Sequence, residues 1–169
     1  MPFSHLLLAL SVVVVWGSNF VVIKWGLADF PPFLFSTLRF LLSALPWVIF
    51  IPRPVVSQQR LAGAGLFTGV GQFALLYWAM QRDISPGLAS LVIQSQVFFT
   101  ILLAMVLDGE RMRPLQVGAV LLAVAGFALV GWHGAHDPGS SITLLGLLVV
   151  LLAAFCWGCA NTLVRGAGR

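Results

Sequence analysis

Carboxylates are scarce in this 169-residue chain, which holds five Asp and Glu in all. Asp29, Asp83, Asp108, Glu110 and Asp137 each lie at the end of an apolar run or between two runs. Charged residues of both signs make up 8% of the chain, against about 25% in soluble domains. So low a charge excludes a soluble globular protein and leaves little material for paired catalytic carboxylates or an acidic metal cage. Cysteine is confined to Cys156 and Cys159. The Cys-Trp-Gly-Cys spacing invites a redox reading, but a reactive pair needs a solvated, electropositive surround. Both thiols fall within an apolar run, where Cys behaves as a small apolar residue. Zinc would need two further ligands, and His133 and His136 fall beyond the other end of that run. No enzyme activity, metal or cofactor is expected.

Apolar sequence is abundant. Hydrophobic residues make up 60% of the chain and the mean hydropathy is +1.02. They gather in blocks of about 18 or more residues, enough to cross a hydrocarbon core of ~30 Å as helix. The fold class expected is all-α, a polytopic transmembrane helix bundle with the lipid bilayer as its surround. Six spans are expected, over about 6–27, 33–51, 61–80, 87–107, 115–132 and 142–164. Pro31-Pro32, Pro86 and Pro114 mark helix starts, and a polar loop is expected over 133–141. The first run lacks a positive leading segment and goes on to Ile23, so it is expected to stay as a span and not to be cleaved.

The net charge is +4, yet the nine Lys and Arg are dispersed along the chain, seven of them in the connections and the tail, so nucleic-acid binding is not expected. Their distribution bears on orientation. Arg53, Arg60, Arg111, Arg113, Arg165 and Arg169 follow the even-numbered spans, whereas Arg82 stands after an odd-numbered one and Lys24 near the end of the first. Loop cations favour the cytoplasm, which predicts a cytoplasmic N-terminus.

Trp16-Gly17-Ser18-Asn19, followed by Lys24, returns as Trp157-Gly158-Cys159-Ala160-Asn161, followed by Arg165. The copies lie five spans apart, so they are expected to cross the membrane in opposite directions, as in the inverted repeats of secondary transporters. Residues 1–132 then form one five-helix repeat, and 142–169 supply the first helix of a second. Gly65 with Gly69, and Ala119 with Ala123, are small-residue pairs suited to close helix contact. Gln72 shares the face of Gly65 and Gly69, which is expected to point into the bundle.

Polar groups inside spans are costly and tend to face the bundle or a cavity. The candidates for substrate binding are Asn19, Lys24, Arg39, Gln72, Tyr77, Ser90, Gln94, Trp157 and Asn161. For the amides, interhelical hydrogen bonding is the alternative role. Gln94 and Gln96 stand about 200° apart on a helix. Ser90 with Gln94 therefore makes the inward stripe, and Gln96 is expected to bond a neighbouring helix. Arg39 lies seven residues past Pro32, close enough to the headgroups to snorkel, and carboxylate binding is its alternative. Lys24 favours anchoring near a helix end. A cavity lined by amides and aromatics suits a small polar or zwitterionic metabolite.

In order and spacing, several motifs resemble the EamA family of the drug/metabolite transporter superfamily. These are Trp16 to Lys24, Arg39-Phe40-Leu41-Leu42, Gly109-Glu110-Arg111, Gln116-x-Gly118 and Ala125-Gly126. Gly71-Gln72-Phe73-Ala74 and the run from Leu88 to Thr100 are similar to the branch that includes O-acetylserine/cysteine exporters. The resemblance implies ten helices in two inverted repeats, a bacterial inner membrane, and alternating-access export of amino acids such as cysteine or O-acetylserine. On that pattern four helices are missing, and Gly166 to Arg169 reads as a passage cut short, which would leave a fragment without activity of its own. The alternative is a half-size transporter completed by self-association. Small multidrug-resistance proteins follow that plan with a Glu in their first span, which this chain lacks.

Overall fold

The computed structural model describes residues 3–51, 56–109, 111–136 and 142–165. The expected positions Arg53, Glu110, Asp137 and Arg169 lie outside them. The described chain is helical: α1 (Phe3–Asp29), α2 (Pro32–Val48), α3 (Gln58–Leu66), a π-helical segment (Phe67–Ala74), α4 (Leu75–Arg82), α5 (Pro86–Ile93), α6 (Gln96–Asp108), α7 (Pro114–His136) and α8 (Leu144–Arg165). Five helical stretches are long and apolar enough to cross a membrane, and α2 is a shorter apolar helix. The protein is an all-α multi-pass membrane bundle.

Local chemistry accounts for most boundaries. Pro31-Pro32 separates α1 from α2, with Pro32 in the first helical position where its missing N–H costs nothing. Pro46 falls near the end of α2, which closes at Val48 after 17 residues, short of the expected residue 51. Ser57 caps α3 and Ser85 caps α5, each hydroxyl accepting a backbone N–H three residues on. Gly109, at φ 69°, ends α6 in the left-handed conformation that glycine adopts freely. Helix α7 runs through His136, past the expected end of its span at Trp132.

Two expected spans are not single α-helices. The third changes to π-helical geometry from Phe67 to Ala74, a form concentrated at functional sites. The fourth tightens between α5 and α6: the N–H groups of Gln94, Ser95, Val97 and Phe98 each bond the carbonyl three residues back. The tight turn lies at Gln94–Ser95, without a glycine or proline in it.

Helix α8 sits at the centre, against α3, the π-helical segment, α4, α5 and α6. Its buried face is small: Gly146, Val150, Ala153, Ala154, Gly158 and Ala160, joined by Leu147. Small residues bring backbones close, which is how helices gain packing without a hydrophobic drive between them. At one end, Thr143 N–H donates to the Asp83 carbonyl (2.9 Å), and the Thr143 hydroxyl donates to Asp83 Oδ1 (3.1 Å) and accepts Gly146 N–H (2.9 Å). At the other end Arg165 pairs with Asp108 at 2.9 Å.

The small-residue expectations need correction. A methyl group at Gly65 or Gly69 would meet nothing within 4 Å. Both line an open groove toward α2, and Ala119 on α7 is exposed. The close approach falls instead at Gly71, where a Cβ would stand 2.7 Å from that of Cys156. Cys156 and Cys159 are free thiols, and Cys156 packs into the space that Gly71 leaves.

Candidate functional site

A cavity of ≈ 360 Å³ opens between α1, α2, the π-helical segment, the junction of α5 with α6, and α8. Asn19, Arg39, Gln72, Gln94 and Trp157 line it, and so do Trp16, Phe20, Thr68 and Phe73. Sequence reasoning brings the first five forward as site residues and does not select the other four. Trp16 could have been found, since it opens the repeated motif. The two tryptophans of that motif meet here, with ring centroids 6.0 Å apart and planes at 37°.

Helical spacing explains the contribution of α1. Ile23 and Leu27 are its buried residues, and Asn19 lies one turn before Ile23 on the same face. Lys24 follows Ile23 by about 100° of rotation, is exposed, and does not line the cavity. Neither does Ser90, whose hydroxyl donates to the Gly87 carbonyl of its own turn at 2.7 Å.

Arg39 reaches across from α2 to the third span. Its Nη1 donates to the Tyr77 hydroxyl, and its guanidinium lies 4.8 Å from the centre of the Phe73 ring. Phe73 and Tyr77 are one turn apart and in edge contact, with centroids 5.8 Å apart, so together they form an aromatic shelf under the cation. Tyr77 is fully buried and supports Arg39 from behind without lining the cavity. Phe35 at 5.5 Å and Phe40 at 5.1 Å extend the aromatic packing around this pair.

Gln72 is 3% exposed, and its Oε1 has no hydrogen-bond partner. Such atoms are rare in folded proteins and call for an explanation. Ser95, at the break in the fourth span, is also 3% exposed with an unpartnered hydroxyl.

Asn161 and Gln96 serve a different contact. Asn161 Nδ2 donates to Gln96 Oε1 at 3.0 Å and to Thr100 Oγ1 at 3.4 Å, joining α8 to α6 beside the cavity. Gly158 allows that approach, since a Cβ there would come 3.1 Å from Phe99 Cβ. Among the described residues no group of His, Cys, Asp and Glu could hold a metal ion. The cavity is equipped for hydrogen bonding, aromatic contact and one positive charge.

Comparison with known proteins adds a family. A model of the EamA-like transporter family matches residues 3–132. The chain is 44% identical over 154 residues to a probable amino-acid metabolite efflux pump of Escherichia coli (strain K12), covering 91% of this chain and 51% of that protein. The protein of the same name from Salmonella typhimurium is 46% identical over 154 residues, with the same coverage. An uncharacterized transporter of Bacillus subtilis (strain 168) is 31% identical over 159 residues, covering 90% of this chain and 54% of that protein. The chain thus spans about half the length of the curated relatives it matches. No solved structure matches it. With its membrane-length helices and a family match over most of its length, the chain belongs to the EamA-like transporter family.

Proposed function

We propose that this chain supplies the substrate-facing helices of an exporter for small amino-acid metabolites, with cysteine and O-acetylserine as first candidates. The observation that carries the reading is the cavity, where amides from α1, the π-helical segment and the α5–α6 junction face tryptophans from α1 and α8. Amides can donate and accept hydrogen bonds at once, and aromatic walls shelter the apolar part of a small solute. The efflux-pump name of the enteric relatives supports the same substrate class.

The mechanism we assign is alternating access in the bacterial inner membrane, with the N-terminus in the cytoplasm. In that scheme residues 1–132 form the first repeat, α8 opens an inverted second one, and the cavity lies where the two meet. Rocking about α8 would expose the cavity to each side in turn. Irregular helices at the cavity suit this motion, because the π-helical segment and the Gln94–Ser95 turn already depart from regular helix bonding.

The test is export. Cells expressing the protein, with membrane insertion verified, should release more cysteine and O-acetylserine into the medium than control cells. Unchanged external levels of both would count against the assignment. Gln72→Ala and Gln94→Ala should reduce release at constant protein level. If protein level fell in step with release, these amides would be structural.

A further inference from the structure

Among the described residues lining the cavity, Arg39 is the one that is charged, and no Asp or Glu stands with it. Its partners are neutral, a phenol and an aromatic face. Asp29, Asp83 and Asp108 all stand at helix ends. A guanidinium keeps its charge in proteins and offers a planar donor fork matched to a carboxylate. Held in a partly desolvated cavity without a counter-ion, it makes a site that is incomplete until an anion arrives.

We propose that the cavity recognises its solute chiefly by the carboxylate, through Arg39, and offers no acid to pair with an ammonium. The inference rests on the exporter reading above and adds the charge state of the solute. A free ammonium would share the cavity with the guanidinium and repel it, with no acid nearby to offset the repulsion. Amino-acid metabolites acylated on nitrogen, which are net anions, then bind at least as well as the zwitterions. Carboxyl esters of amino acids, which lack the carboxylate and carry at most the ammonium charge, are rejected. Trp16 and Trp157 are the lining groups that could hold an ammonium face-on, and that arrangement predicts the reverse order.

The experiment titrates three stable probes into the purified chain in lipid nanodiscs and follows intrinsic tryptophan fluorescence, to which Trp16 and Trp157 contribute from the cavity wall. The probes are S-methyl-L-cysteine, its N-acetyl derivative and its methyl ester. The acid and the N-acetyl acid should bind at least about 10- to 100-fold more tightly than the ester, the range expected for one charge-assisted contact. Arg39→Gln should erase that ratio by weakening the acids and leaving the ester unchanged, and Arg39→Lys should retain part of it. The wild-type ratio needs no variant, so misfolding of Arg39→Gln does not blunt the test. Equal binding of ester and acid overturns the carboxylate assignment while leaving the exporter reading intact. So does an N-acetyl acid that binds tenfold more weakly than the zwitterion. Failure of all three probes to bind would refute the exporter reading and the inference with it.

Discussion

Gly71 marks a close approach between the third span and α8. A Cβ added there would stand 2.7 Å from Cys156 Cβ and 2.8 Å from Cys156 Sγ. The sulfur can rotate away, whereas the Cβ yields only if the backbone of α8 moves. Overpacking of this kind costs about 1–3 kcal/mol, and alanine recovers up to ~1 kcal/mol over glycine in a helix. Gly71→Ala should therefore lose about 1–2 kcal/mol. At about 2–4 °C per kcal/mol for a chain of this length, its unfolding midpoint falls by roughly 2–8 °C. Thermal unfolding of the purified chain in detergent reads the shift directly. Gly65→Ala and Gly69→Ala, which meet nothing within 4 Å, should leave the midpoint unchanged or raise it. A double-mutant cycle then locates the clash. Cys156→Gly removes the offending Cβ and should couple favourably to Gly71→Ala by at least about 1 kcal/mol, whereas Cys156→Ala keeps that Cβ and should not. A Gly71→Ala protein as stable as wild type, or equal rescue by both Cys156 variants, would refute the packing argument.

Three further outcomes are expected. Gln72→Met should keep thermal stability or raise it by up to ~1 kcal/mol, because it removes a buried carbonyl that has no donor; the same variant should lose metabolite export. Asn161→Ala should cost about 0.6–2 kcal/mol in unfolding measurements, the range for hydrogen bonds between membrane helices, and should be non-additive with Gln96→Ala. Asp108→Asn should cost less than about 1 kcal/mol, and the loss should shrink in high salt, since the side chains of the Arg165–Asp108 pair are 41% and 27% exposed.

The helical membrane class was legible because long apolar runs admit few other structures, and proline marked the start of α2, α5 and α7. Rotation by 100° per residue also separated Gln94, which lines the cavity, from Gln96, which bonds Asn161 on α8. That arithmetic holds only while a helix is regular. The tight turn at Gln94–Ser95 and the π-helical segment carry no proline to announce them. Packing decided what spacing could not. The Gly65–Gly69 pattern suits a close helix contact, but α8 makes its close approach at Gly71, and α2 meets Gly69 through the Ser36 hydroxyl, which donates to its carbonyl at 3.4 Å. Arg39 lies near enough to a helix end to snorkel, and only the folded chain shows Phe73 and Tyr77 waiting one turn apart to receive it.

The polar groups inside these helices divide by whether the protein satisfies them. Asn161, Gln96 and Thr100 bond one another between α6 and α8, while Asp83 with Thr143 and Asp108 with Arg165 fix the two ends of α8. Each of these groups has a partner within the bundle, which is the condition for polar atoms to stabilise a membrane helix contact. Beside them stands a second set. Gln72 Oε1 has no donor, and Arg39 has neutral partners where a charge would serve better. Leaving a buried acceptor unpaired costs about 1–3 kcal/mol, and an apolar side chain in its place would avoid that cost. Gln72 and Arg39 both border the cavity, and the unpartnered Ser95 adjoins the lining residue Gln94 without lining it, whereas the satisfied set lies along the contacts of α8. The two sets therefore separate by experiment: changes in the satisfied set should register first in unfolding, and changes in the unsatisfied set first in what the cavity binds.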